Sequence, residues 1–202
     1  FGENAPGWRA VYTWAFDEEL VKPYHPPKGF YATDAFTDWS LKWLEEKKGN
    51  DSPFFLFLSY NAPHWPLHAH PKDIAKYDGF YDLGYEAIRK ARYRRQIKDG
   101  LFDERTTPLS EPDHQEWSAL PEKEQNAEAQ RMQIHAAMVD CMDQNIGRLI
   151  AKLREIGKMD NTLILFLADN GASHEKPLRG ERNASAEWGS VGSFEAIGQS
   201  WA

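Results

Sequence analysis

Two short apolar runs in this sequence end in polar residues that could carry chemistry. Residues 163–168 (LILFLA) lead directly into Asp169, Asn170 and Gly171. A carboxylate and an amide oxygen are hard ligands that suit Ca²⁺ or Mg²⁺, whereas Zn²⁺ favours nitrogen and sulfur. A carboxylate at the end of a buried strand also costs free energy unless something such as a metal neutralises it. The alternative is a plain turn, which Asp-Asn-Gly favours.

The other run, residues 54–59 (FFLFLS), leads into a loop that contains His64. Pro63 and Pro66 flank this histidine and restrict its backbone. A pre-organised imidazolium could bind an oxyanion, or act as a general acid that protonates a leaving alkoxide. The alternative is a structural histidine that packs against Trp65.

Four other histidines and the single cysteine are weaker candidates. His68 and His70 are not set closely between two prolines as His64 is, and His174 could either approach the Asp169 pocket or lie on the surface of a loop. His135 lies near an apolar stripe, where we expect a core histidine with a satisfied hydrogen bond. Cys141 is interpreted as a small helix residue rather than a nucleophile.

Periodicity predicts the elements that must position these residues. A helix is predicted from Thr33 or Asp34 to about Lys48, and another over 122–156. The first helix is expected to bury an apolar stripe at helical spacing, formed by Phe36, Trp39, Trp43 and Leu44. The two apolar runs do not alternate, which is typical of strands covered on both faces in a parallel sheet. The order favours an α/β layered sheet with mainly parallel strands flanked by helices. Ligands collect at the carboxyl ends of such strands, where the candidate residues lie.

The remaining segments are less regular. Residues 1–33 are predicted to be irregular, and residues 60–120 to form an insertion with a short helix near 73–77. Its basic stretch, residues 89–98 (RKARYRRQIK), is interpreted as a solvated helix face, or else as a wall that attracts an anionic substrate. Loops of this insertion could set substrate specificity.

Composition limits the classes of function. The chain has 202 residues, enough for one domain with a core, and its formal charge of -7 argues against a nucleic-acid partner. No apolar run is long enough to span a membrane. One cysteine excludes an internal disulfide within this sequence.

Four segments together resemble the sulfatase family, of the arylsulfatase type within the alkaline-phosphatase-like superfamily. They are YATDAFTDWSLKWL, PFFLFLSYNAPHWPLHA, HAAMVDCMDQNIGRLI and NTLILFLADNGA, and the resemblance covers most of the chain from about Tyr31 to Gly171. It implies that Asp169 and Asn170 ligate calcium and that His64 is catalytic, contacting the sulfate ester near its leaving oxygen. The resemblance implies structural roles for six other matched positions, which are Thr33, Asp34, Thr37, Asp38, Met138 and Asp143.

The resemblance also implies features that this sequence does not contain. The family's nucleophile is a formylglycine made from a C/S-x-P/A-x-R motif, and paired aspartates complete its metal site; neither occurs here. We therefore expect residues 1–202 to be part of an alkaline-phosphatase-like catalytic domain, with the nucleophile in a preceding segment and a family lysine beyond Ala202. The chain alone is expected to be inactive.

The expected activity of the whole protein is hydrolysis of sulfate esters, either small molecules or sulfated glycans. One alternative is a phosphoesterase or phosphonate hydrolase of the same superfamily. Another is a non-catalytic domain that binds sulfated glycans, which the negative charge disfavours. The resemblance implies a periplasmic or extracellular location.

Overall fold

The computed structural model describes residues 14–172, 186–190, 193, 195–198 and 201. His174 lies outside the described residues. The described part contains a β-hairpin and four α-helices, together with short 3₁₀ turns. Their bounds are β1 Trp14–Phe16, β2 Glu19–Val21, α1 Ala32–Glu45, α2 Pro71–Ile74, α3 Gly84–Lys98 and α4 Glu122–Glu155, with 3₁₀ turns at Ala75–Tyr77, Trp117–Ala119 and Met159–Asn161.

The long helix α4 confirms the prediction over 122–156. Pro121 precedes it, and its first turn carries the acidic Glu122 and Glu124, which suit the positive end of the helix dipole. The helix gives way to Gly157 in the left-handed region, at a φ of 71°. Its buried face includes Ile134 and Met138, so α4 forms the backbone of the described core.

Helix α1 confirms the predicted helix but buries a different face. It begins at Ala32 and ends at Glu45, and its buried positions are Ala32, Thr33, Thr37, Ser40 and Leu44. Of the predicted stripe of Phe36, Trp39, Trp43 and Leu44, only Leu44 is fully buried. Leu44 packs against Leu153 and Ile156, so α1 docks on the C-terminal half of α4.

The N-terminal segment is less irregular than predicted. Strands β1 and β2 pair antiparallel, with Trp14 opposite Val21. The ring of Trp14 lies 5.6 Å from that of Phe36 and 5.5 Å from that of Trp39, measured between centroids. The hairpin therefore covers the aromatic face of α1 that the sequence assigned to the core.

The two apolar runs do not form the predicted parallel strands. Among the described residues the one sheet is the two-stranded hairpin, and neither 54–59 nor 163–168 carries strand structure. Their side chains are largely exposed: Phe55 is 84% exposed, Phe57 78%, Leu163 84% and Leu167 80%. A strand requires a hydrogen-bonded neighbour, and the described residues supply none beside these runs.

The short helix and the basic helix that were predicted within residues 60–120 are both present. The short helix is α2 with the 3₁₀ turn that follows it, and the basic stretch lies in α3. In α3 only Gly84 and Tyr85 are buried, as expected of a solvated basic face. Tyr85 joins Tyr81, Ala129, Ala136 and Trp201 in one apolar cluster, so this segment packs against α4.

Candidate functional site

His64 lies on the exposed side of its loop. Its Nδ1 is 2.5 Å from the carbonyl oxygen of Trp65. A carbonyl oxygen can only accept, so Nδ1 carries the hydrogen and Nε2 is the nitrogen suited to exchange a proton with a ligand. The imidazole centroid lies 5.3 Å from that of Trp65, the packing that the structural alternative expected. These contacts fix the ring in place, while its role at a substrate stays a prediction.

The loop that follows His64 is anchored by His68. This histidine is fully buried, and its Nε2 lies 3.0 Å from the carbonyl oxygen of Ser193. The hydroxyl of Tyr31 donates to the His68 carbonyl at 2.7 Å. The amide of Ala69 donates to the carbonyl of Gly189 at 3.1 Å. His68 is thus a core residue, and its neighbours hold the exposed loop that presents His64.

Asp169 and Asn170 lie on exposed backbone outside helices and strands. Asp169 is therefore not the buried strand-end carboxylate that was expected, because it is exposed and the described residues form no sheet over it. The Nδ2 of Asn170 donates to the carbonyl of Gly171 at 2.7 Å, which leaves the amide oxygen out of that hydrogen bond. Two adjacent oxygen donors in an open loop suit a hard cation in donor type, although they cannot fill its coordination sphere alone.

A polar cluster that the sequence did not predict joins α1, the loop before α2, and α4. Nε2 of His70 lies 2.9 Å from Oδ2 of Asp34, and Nδ2 of Asn145 donates to Oδ1 of Asp34 at 2.8 Å. The Sγ atom of Cys141 approaches the same Oδ1 at 3.7 Å. One ligand atom each from Asp34, His70 and Cys141 lies within 4.8 Å of the other two.

Electrostatics in this cluster keep the carboxyl ionised and the thiol protonated. Burial acts to raise the pKa of Asp34, but hydrogen bonds from His70 and Asn145 outweigh it and hold that pKa below its ordinary value. Burial raises the pKa of Cys141 to about 12, with a further contribution from the Asp34 carboxylate. Cys141 is therefore no thiolate nucleophile, as the sequence indicated.

His135 lies partly buried on α4, and among the described residues its Nδ1 lacks the hydrogen bond that was expected. Its Nδ1 is buried and has no hydrogen-bond partner among the described residues. Burial lowers its pKa to about 4, so the imidazole is neutral near neutral pH. The ring is partly buried rather than fully in the core, and among the described residues the predicted satisfied hydrogen bond at Nδ1 is absent.

The structural positions inferred from the resemblance differ in environment. Thr33, Thr37 and Met138 are buried, and the Thr37 hydroxyl is within 2.7 Å of the Tyr60 hydroxyl. Asp38 is exposed and pairs with Arg148. Asp34 is the exception, because it sits at the centre of the polar cluster.

No helix in the part of the chain that the structure describes has the length and apolar character to cross a bilayer.

Comparison with known proteins assigns the chain to a family. The family model described as Sulfatase matches residues 3–192. An uncharacterized sulfatase of Schizosaccharomyces pombe is 34% identical over 98% of this chain and 39% of that protein. An arylsulfatase of Klebsiella aerogenes is 33% identical over 87% of this chain and 40% of that protein. The chain belongs to the sulfatase family.

The match has limits in length and in structure. The chain spans about two fifths of the length of these relatives, at 39% and 40%. A solved structure titled as Ps i-CgsB in complex with k-i-k-neocarrahexaose is 22% identical over 71% of this chain and 21% of that one, at a TM-score of 0.40. Family membership implies the alkaline-phosphatase-like α/β fold, whose layered sheet the described residues do not contain.

Proposed function

We propose that this chain is part of a sulfatase that hydrolyses sulfate esters. The observation that carries the proposal is the family match over residues 3–192. It is supported by an arylsulfatase relative at 33% identity. Because the chain spans only part of its relatives, the activity belongs to the whole protein, and we expect this chain alone to be inactive.

His64 is proposed to protonate the leaving oxygen of the ester. Its Nδ1 hydrogen is directed to the Trp65 carbonyl, so Nε2 of the imidazolium is the nitrogen that would donate to the substrate. An exposed ring held by a backbone hydrogen bond and by contact with Trp65 loses little freedom when a substrate arrives.

Asp169 and Asn170 are proposed to contribute two oxygen ligands to a calcium site. Calcium, when bound, would neutralise charge on the sulfate group, and formylglycine supplied outside this sequence would provide the nucleophile. The hydrogen bond from the Asn170 amide nitrogen to Gly171 leaves the amide oxygen as its ligand atom. The remaining ligands must come from other segments, because calcium takes about six to eight oxygens.

The substrate is proposed to be a small sulfate ester or a sulfated glycan. The basic face of α3 supports an anionic substrate, since six of its fifteen residues are lysine or arginine. A periplasmic or extracellular location is proposed from the family alone.

Turnover of an aryl sulfate by the full-length protein tests these roles. We expect His64→Ala to lower kcat/KM by roughly 100-fold or more, because a general acid contributes about that much. Asp169→Ala should raise the calcium concentration needed to restore turnover after chelation. The matched controls are His25→Ala and Asp160→Ala, two exposed residues that should leave both quantities unchanged. Wild-type turnover in His64→Ala would refute the role given to His64.

A further inference from the structure

We propose that Asp34, His70 and Cys141 form a binding site for a thiophilic divalent cation of the Zn²⁺ type. The site goes beyond the proposed hydrolysis, because its donor set differs from the oxygen-only pair of Asp169 and Asn170. A carboxylate oxygen, an imidazole nitrogen and a thiolate sulfur are the three donor types that zinc takes in proteins.

The distances between the three donors are close to those in a zinc site. Zinc–ligand bond lengths imply tetrahedral edges of about 3.3 to 3.6 Å. Here Nε2 of His70 is 2.9 Å from Oδ2 of Asp34, which is a hydrogen-bond distance, and Sγ of Cys141 is 3.7 Å from the other carboxylate oxygen, Oδ1. The carboxylate would have to turn, and His70 move slightly away, for one oxygen to serve both edges. All three donors fit within a 4.8 Å span, so small side-chain adjustments would place a cation among them. Water would complete the tetrahedron.

The three donors come from separate elements and leave a route for the ion. Asp34 lies in the first turn of α1, His70 is the residue before α2, and Cys141 lies within α4. The side chains of Asp34 and His70 are 37% and 19% exposed, whereas Cys141 is buried. A cation can therefore meet the carboxylate and imidazole from solvent before it reaches the sulfur.

Neighbouring side chains orient the ligands as outer-shell groups do in metal sites. Asn145 donates to Oδ1 of Asp34 at 2.8 Å, and Arg148 donates to Oδ1 of Asn145 at 2.8 Å. The second contact fixes the amide so that its nitrogen faces Asp34. The ring of Tyr31 lies 4.5 Å from that of His70. Such supporting partners contribute roughly 10- to 100-fold to metal affinity.

Binding replaces a proton on sulfur with the metal. Because burial raises the pKa of Cys141 to about 12, the metal-free thiol is protonated at neutral pH. Zinc must therefore displace the thiol proton, which is released to solvent. Nε2 of His70, which donates to the Asp34 carboxylate in the metal-free protein, ligates the ion as the tautomer whose hydrogen is on Nδ1, so the neutral ring releases no further proton. The opposing interpretation is a hydrogen-bond network that only joins α1, α4 and the loop between them.

A cobalt titration of the metal-stripped full-length protein distinguishes these interpretations. We expect one Co²⁺ per chain with thiolate-to-cobalt charge-transfer absorption, which Zn²⁺ abolishes and excess Ca²⁺ does not. Cys141→Ser should remove the absorption. Asp34→Asn and His70→Gln should weaken zinc binding by more than the roughly 100-fold upper cost of an outer-shell loss. His25→Gln, at an exposed histidine, is the control and should bind as wild type does.

Two outcomes would overturn the proposal. One is wild-type protein that shows no charge-transfer absorption at saturating Co²⁺, which would leave only the hydrogen-bond network. The other is absorption that persists unchanged in His70→Gln, a variant whose amide can still donate to Asp34 and which should fold even if Cys141→Ser does not. Both outcomes concern metal binding alone. Neither would contradict the proposed sulfate hydrolysis, which the turnover assay tests separately.

Discussion

At the residue scale, His135 is a partly buried neutral imidazole on α4, and its buried Nδ1 has no hydrogen-bond partner among the described residues. Burial lowers its pKa to about 4 from the ordinary 6.5. Between these two pH values the unfolded chain binds a proton that the folded chain does not. The free energy of unfolding therefore falls as the pH drops through this window, by up to about 3 kcal/mol for a shift of this size.

Replacing His135 with leucine should remove this dependence. We expect the melting temperature of the full-length His135→Leu protein to fall less than that of wild type between pH 7 and pH 4.5, because no imidazole has to be charged on unfolding. Thermal unfolding followed by circular dichroism at both pH values measures the difference. The exposed His25→Leu is the control. Equal acid sensitivity in His135→Leu and wild type would show that this imidazole does not drive the dependence.

Residue types alone were enough to propose part of the candidate site, and the roles of those residues stay predictions. The proline-flanked His64 and the adjacent oxygen donors Asp169 and Asn170 were recognisable because each carries its signal within a few neighbouring residues. The cluster of Asp34, His70 and Cys141 was not, because its members are separated by dozens of residues and meet only when α1 docks on α4. The spacing of Cys141 and Asn145 on one helix face was the only local signal.

At the scale of elements, the contact between α1 and α4 holds together the polar cluster around Asp34, His70 and Cys141. Leu44 is fully buried against Leu153 and Ile156. Leu44→Ala should lower the free energy of unfolding by about 2–5 kcal/mol, because it leaves a cavity between two packed helices. Urea unfolding of the full-length protein measures the change.

The matched control is Leu83→Ala, whose side chain is 70% exposed. This variant should stay within about 0.5 kcal/mol of wild type. Similar losses at both leucines would contradict the packing assigned to Leu44.

The two apolar runs lead to a separate prediction. Phe55, Phe57 and Leu163 are exposed here, yet apolar runs of strand length are unfavourable on a surface. The α/β fold of the family predicts that other segments of the whole protein cover them. Hydrogen exchange of the full-length protein should then show slow backbone exchange over residues 54–58 and 163–167. Exchange as fast as that of the exposed loop at residues 99–106 would contradict a sheet at these positions.

Helices were easier to predict than the sheet for a physical reason. The backbone hydrogen bonds of α4 lie within residues 122–155, and its apolar residues recur at helical spacing over many turns. Local sequence was therefore sufficient to predict this helix. The buried face of α1 could not be predicted from its own residues, because Trp14 of the hairpin packs against Phe36 and Trp39. Strand pairing depends on distant partners, so the composition of the runs at 54–59 and 163–168 could not establish it.

At the scale of the whole molecule, the chain is an acidic sulfatase-family segment of 202 residues with a net charge of -7 and a basic helix, α3, on its surface. The candidate residues His64, Asp169 and Asn170 lie on exposed loops, where other segments of the protein could complete a site around them. Membership of the sulfatase family supports the proposed sulfate ester hydrolysis, whereas these loops do not by themselves separate it from the phosphoesterase alternative.

The most direct test compares kcat/KM of the full-length protein for an aryl sulfate and for the aryl phosphate with the same leaving group. Mass spectrometry of the same preparation establishes whether formylglycine is present. We predict that the protein with formylglycine hydrolyses the sulfate at least about 100-fold more efficiently, which corresponds to roughly 2.7 kcal/mol of transition-state discrimination. Preference for the phosphate, or no turnover of the sulfate by protein that carries formylglycine, would contradict the proposed function.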